Sequence, residues 1–184
     1  MVDHEEIQIR PATLVDVPKL RALISESARG LSAGFYSDEQ IEACIAHVFG
    51  VDTQLILDGT YYVIETHAEL AAAGGWSARR TLYGGDQMKT GPDPRLDPET
   101  EPARIRAFFV HPRFARRGLA RRLYKLCSVG AWAAGFREFE LMATLPGEPV
   151  YQALGFAAVE RTLVSLNGKI QVPFVRMRRL IDPP

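Results

Sequence analysis

Apolar and polar positions first alternate at Ile7–Arg10, the period-2 pattern of a half-buried strand, which Pro11 ends. Thr13 and Asp16 stand at capping-box spacing. Beyond them Val17, Leu20, Leu23 and Ile24 recur at helical spacing, with Pro18 in the tolerant first turn and Arg29–Gly30 as the expected stop. Gly30 to Tyr36 reads as loop. Ser37 and Gln40 form a second capping box, for a helix whose stripe is Ile41, Cys44, Ile45 and Val48, up to Gly50. Asp58–Gly59 marks a turn between two apolar runs, and Tyr61–Thr66, rich in β-branched and aromatic residues, predicts a strand with Leu70–Trp76 returning beside it. From Leu82 to Pro102 the periodicity collapses into Gly84-Gly85-Asp86 and the proline-rich Gly91–Pro98. A loop this long inside a domain is usually a lid or a binding loop. We read it as one excursion, because neither flank could stand alone. Regularity resumes with a strand at Arg104–Val110, bounded by His111–Pro112. A helix follows, with Leu119, Leu123, Leu126, Cys127 and Gly130 on one face and Gly135 as its cap. Phe139–Ala143 is a further strand, Glu148–Leu154 a short helix closed by Gly155, and Val159–Leu166 and Ile170–Met177 a hairpin about Asn167–Gly168. The pattern predicts a mixed α/β (α+β) single domain over residues 7–180, with a long loop at about 82–103.

Composition narrows the function classes. The 184 residues are 47% apolar, enough for a core, and 22 basic residues balance 22 acidic ones. A zero net charge gives no global attraction to nucleic acid or to an anionic membrane surface, although Arg176, Arg178 and Arg179 make a local basic group. No apolar run approaches the ~20 residues of a bilayer span. The opening MVDHEEIQIR has neither a basic nor an apolar leader region, so a cytoplasmic protein is expected. Cys44 and Cys127, far apart on apolar stripes, read as buried filler. His4, His47, His67 and His111 lack metal-ligand spacing, so no metal is expected.

The chemistry concentrates in Phe108–Leu123, FFVHPRFARRGLARRL. A strand, a proline turn and a helix follow one another, and Arg116, Arg117, Gly118, Arg121 and Arg122 crowd the helix start. A helix N-terminus carries unpaired N–H groups and partial positive charge. Arginines there oppose the dipole at ~0.3–1 kcal/mol each, unless an anion is bound between them. Glycine lets a phosphate approach the backbone. The spacing matches neither the P-loop nor the dinucleotide fingerprint.

Three further features bring in a family. Val110-His111-Pro112 and Gly118-Leu119-Ala120 resemble the acyl-CoA signature of the GNAT superfamily of N-acetyltransferases, Q/R-x-x-G-x-G/A after a strand ending Val-x-Pro; Ala115 departs from its first position. Tyr151-Gln-Ala-Leu-Gly-Phe156 resembles that family's Y-x-x-x-G-F segment, and Ile9-Arg10-Pro11-Ala12-Thr13 its usual opening. The resemblance implies a GNAT-type fold, a mixed, mostly antiparallel sheet of about seven strands flanked by about four helices. It implies transfer of acetyl from acetyl-CoA to a primary amine of a small molecule or protein by direct attack; the alternative is a non-catalytic acyl-CoA sensor. The backbone of Phe108, Phe109 and Val110 would pair with pantetheine, and amides from Arg116, Arg117, Gly118, Leu119, Ala120 and Arg121 would cradle the pyrophosphate. Thr144 would replace the asparagine of many relatives. Tyr151 would protonate the departing thiolate, and Glu140 or Glu101 would serve as base. By analogy a homodimer is possible. Tyr36, Tyr83 and Asp86, set among glycines in irregular segments, are expected to line the acceptor side.

Overall fold

The computed structural model describes residues 7–66 and 69–184, so His4, His67 and most of the polar N-terminal segment lie outside the described residues. Seven strands form one sheet: β1 (Ile7–Pro11), β2 (Tyr61–Thr66), β3 (Glu69–Ser77), β4 (Ala103–Val110), β5 (Glu138–Thr144), β6 (Ala157–Leu166) and β7 (Ile170–Leu180). Their order across the sheet is β1-β2-β3-β4-β5-β7-β6. Every neighbouring pair is antiparallel except β4 and β5. The helices are α1 (Val17–Ser32), α2 (Asp38–His47), α3 (Thr53–Leu57), α4 (Leu119–Ala133) and α5 (Glu148–Ala153).

Local chemistry explains most boundaries. Asp16 accepts from the Thr13 amide at 2.7 Å and is held by two nitrogens of Arg10 at 2.8 Å each, which closes the turn ahead of α1. Ser37 and Gln40 cap α2 reciprocally, at 3.2 and 2.9 Å. Asn167 and Gly168 both take positive φ, 53° and 68°, as the tight β6–β7 turn requires.

Three expectations need correction. α1 does not stop at Gly30 but runs on to Ser32. A Cβ at Gly30 would lie 2.3 Å from Pro112 Cγ, so the glycine is there for close packing of α1 on the His111–Pro112 turn. The apolar run before Asp58 contains a fifth helix, α3, whose cap Asp52 accepts from the Gln54 amide at 3.0 Å. The excursion after Leu82 is not structureless. It contains a 3₁₀ turn at Asp86–Met88, Leu96 is buried in the core, and the Leu96 amide donates to Ala78 O at 2.8 Å.

β3 is buried along nearly its whole length, under α1 on one face and α4 on the other. Its Ala71, Ala72 and Ala73 are buried between these layers, while a Cβ at Gly74 would meet the Phe108 ring at 2.3 Å and one at Gly75 the Thr60 carbonyl at 2.3 Å, so both glycines are set by the neighbouring strands.

Candidate functional site

The site begins where the sheet comes apart. β4 and β5 pair at Ala103↔Phe139 and Arg104↔Glu140, and their register ends there. β4 continues to Val110 and β5 to Thr144 on diverging paths. The splay has a local cause. Register slips between Ala73 and Gly75, and Ala107 takes a φ of 53°, a left-handed conformation costly for a non-glycine residue. The buried Tyr61 hydroxyl donates to the Ala107 carbonyl at 3.0 Å and holds that bulge in place. Burial raises the Tyr61 phenol well above its ordinary value, so it stays a donor. Beyond Arg104 the β5-facing edge of β4 is therefore open to an added strand.

The gap opens into a cleft. Its lining includes Phe108, Val110, Ala120, Thr144 and Tyr151, and with them Leu31, Phe49, Tyr83, Met142 and Phe174. α5 presents Tyr151 at the join, its ring 6.2 Å from Phe108 and 5.7 Å from Phe156. Burial, with Cys127 adding to it, raises the Tyr151 phenol, so its hydroxyl keeps its proton far into the alkaline range. Thr144 ends β5, and its hydroxyl accepts from the Gly147 amide at 3.1 Å, shaping the turn into α5.

The arginine-rich turn leads from the end of β4 to α4. Phe114 is buried beside Leu119 and Leu123, which anchors the turn to the core. Arg116 takes a φ of 63° and Gly118, the residue before α4, one of 76°. A Cβ at Gly118 would meet nothing within 4 Å, so the space in front of the first-turn amides is open. Arg116, Arg121 and Arg122 are exposed around it, and the Arg117 guanidinium lies 5.3 Å from the Phe114 ring centroid. Leu119 buries its side chain and leaves only its backbone for a ligand.

The predicted acceptor residues separate. Tyr83 lines the cleft, stacked on Phe174 at 6.0 Å and 25°. Tyr36 does not line it. Its hydroxyl donates to Pro173 O at 2.7 Å and accepts from the Leu145 amide at 2.9 Å, which makes it a tie between α2's approach and the sheet. Asp86 is also outside the cleft, its carboxylate accepting from the Thr53 amide at the start of α3 at 3.0 Å. Both had been expected at the acceptor side; irregular backbone drew attention to them, but their polar groups complete the fold.

Glu140 requires the same correction. It is buried away from the cleft and bound by Arg104, by Arg176 at 3.1 Å and by Arg178 at 2.9 Å. Both oxygens are engaged, and Glu140 is not among the residues lining the cleft. Glu101, the other candidate, accepts from the Asp97 amide at 2.9 Å and steadies the excursion.

Sequence reasoning missed Arg106 and Asp52. Arg106 sits mid-strand with its side chain buried behind the cleft, 2.9 Å from Asp52. It also donates to Thr81 O at 2.8 Å and Gly84 O at 2.7 Å. Burial pulls its guanidinium below the ordinary value, and Asp52 opposes that. Lys89 joins at 2.5 Å from Asp52. The signal was present: a charged residue buried in a largely apolar strand must have a partner.

Residues 96–180 match the family model for the acetyltransferase (GNAT) domain. No curated protein matches the chain. Among solved structures, the GCN5-related N-acetyltransferase from Rhodopseudomonas palustris superposes with a TM-score of 0.69 at 20% identity, covering 94% of each chain. PaiA N-acetyltransferase from Thermoplasma acidophilum, solved with coenzyme A, gives 0.64 at 14% identity over 95% of this chain and 99% of that one. YncA from Salmonella typhimurium, solved with acetyl-CoA, gives 0.62 at 14% identity over 96% and 94%. At such identities the likeness speaks for the fold.

Proposed function

We propose that this chain, a member of the GNAT acetyltransferases by the match over residues 96–180 and by its fold, transfers an acetyl group from acetyl-CoA to a primary amine. One observation carries the reading: the gap between β4 and β5 runs from an open glycine-bearing helix start to a protonated phenol at the mouth of a cleft.

Each residue's work follows from its place. The open edge of Phe108, Phe109 and Val110 pairs with the amides of the pantetheine arm, as an added strand would. The first-turn amides at Gly118, Leu119, Ala120 and Arg121 receive the diphosphate, with Arg116 and Arg117 adding charge at its rim. Thr144 borders the arm where β5 turns. Acetyl-CoA supplies an activated thioester. Tyr151 holds a proton for the departing sulfur, a fitting donor because burial keeps the phenol neutral at working pH. With Glu140 committed to three arginines, the amine gives up its proton to solvent or through the hydroxyls of the cleft.

Calorimetry with coenzyme A is the direct test. Micromolar binding that weakens at least tenfold in Arg116→Ala/Arg121→Ala supports the reading; no binding at millimolar ligand by the folded protein overturns it. A thiol-release assay then separates an enzyme, which liberates coenzyme A with an amine present, from a sensor, which does not.

A further inference from the structure

The cleft has a chemical character of its own. Besides Tyr151, its lining includes Leu31, Phe49, Tyr83, Met142 and Phe174. Tyr83 and Phe174 stack, and Phe49 meets Phe109 edge-on at 5.8 Å and 70°, so the walls offer flat aromatic surface. Among the described residues lining the cleft there is no Asp, Glu or His. Arg106 is the charged one, and its donors are turned inward to Asp52, Thr81 O and Gly84 O. The acids that the sequence suggested, Glu140 and Asp86, are bound elsewhere.

This composition selects among amines. An alkylammonium of ordinary basicity, ~10.4, must shed its proton about three units above neutrality, at ~1.36 kcal/mol per unit. Here no carboxylate stabilises it on the way in, and burying the cation against aromatic walls costs more still. A polyamine or an aminoglycoside brings several such charges. A weakly basic amine arrives neutral and needs no counter-ion.

We infer, resting on the acetyltransferase reading above, that the acceptor is a weakly basic amine carried on an apolar, ring-sized body that packs against Phe49, Tyr83 and Phe174. The neutral nitrogen lone pair forms the bond to the acetyl carbon as the carbon–sulfur bond breaks. The Tyr151 proton passes to the leaving sulfur, and the proton released from nitrogen restores the phenol. The products are an amide and free coenzyme A thiol, with no further reactant.

The test is thiol release from acetyl-CoA by the full chain. Two probes carry the proposed chemistry from different sources, 4-methoxyaniline as a free aromatic amine and phenylalaninamide as a peptide-like α-amine; spermidine and kanamycin are the polycations. The expected kcat/KM for at least one apolar probe exceeds that of both polycations by on the order of 10²-fold, in line with the basicity gap. Tyr83→Ser and Phe49→Ser should each raise KM for that probe about tenfold, the size of a lost apolar contact of ~1.4 kcal/mol, while coenzyme A affinity stays within twofold. If coenzyme A fails to bind, the acetyltransferase reading itself fails. If it binds and a polycation is preferred, or is acetylated when no apolar probe is, the acceptor inference alone is overturned; if it binds and no amine releases thiol, the transferase reading falls with it.

Discussion

Tyr151 is one of three residues whose substitution separates chemistry from architecture. Tyr151→Phe keeps the ring among Phe108 and Phe156 and removes only the hydroxyl. The expected result is a fall in kcat of about 10²-fold, the scale of a lost general acid, with coenzyme A affinity unchanged by calorimetry. Since burial raises this phenol, the wild-type rate should not fall at the ordinary tyrosine value of ~10 but persist above it. Gly118→Ala makes a second case. Its φ of 76° costs any other residue ~1–2 kcal/mol, and the new methyl projects into open space rather than into protein. A modest drop in melting temperature should therefore accompany a larger loss of coenzyme A binding, at least tenfold. Glu140→Gln tests the correction made above. It should leave kcat within about threefold of wild type, yet cost stability on the order of 1–3 kcal/mol by weakening the charge that the part-buried Arg104, Arg176 and Arg178 share, readable in chemical denaturation.

At the level of elements, the device that makes the site is a displaced strand and the clamp behind it. The β4 bulge exposes an edge, and the Asp52–Arg106 pair ties α3, β4 and the 81–84 segment into one unit. Asp52→Ala should cost about 3–5 kcal/mol, because Arg106 is left charged and buried. Asp52→Leu combined with Arg106→Met should recover most of it, which a double-mutant cycle of unfolding free energies would measure. If the clamp positions Tyr83, limited proteolysis near residues 81–90 should quicken in the single variant. Much of this scale was legible beforehand: the seven strands, the capping of α2, the hairpin at Asn167–Gly168 and the open turn at Gly118 all follow from short-range patterns. α3 was not, since a five-residue helix offers too little periodicity; the excursion after Leu82 was legible as irregular, but not its anchoring, which comes from partners such as the Ala78 carbonyl that receives the Leu96 amide.

The whole molecule responds to pH through groups its core has enclosed. Burial raises Cys44 from 9.0 to about 11 and Tyr36 from 10.0 to about 12. Groups with raised values stay protonated in the fold while the unfolded chain loses its protons, so their contribution is full below the unfolded value and declines as pH climbs to the folded one. The denaturation midpoint should stay level up to the ordinary cysteine value of 9.0 and decline steadily toward 12. On the acid side, Arg10 holds Asp16 below its ordinary 3.8, so stability should be lost as pH falls through and beneath that value. A midpoint that rose from pH 9 to 11 would contradict the first statement. Among the described residues, no helix is long and apolar enough to cross a membrane.

What the chain determined by itself was the list of its parts: which stretches extend, which coil, where glycine permits a turn, and that arginines crowd a helix start. These depend on spacings of two to four residues and on the chemistry of single side chains. Tertiary structure decided which polar groups are available. Glu140, Asp86 and Tyr36 had the right chemistry but were consumed by partners 33 to 137 residues away, whereas Arg106 and Asp52 became the support of the cleft. Availability depends on burial and on long-range pairing, and a buried charge must find its partner wherever the fold puts one.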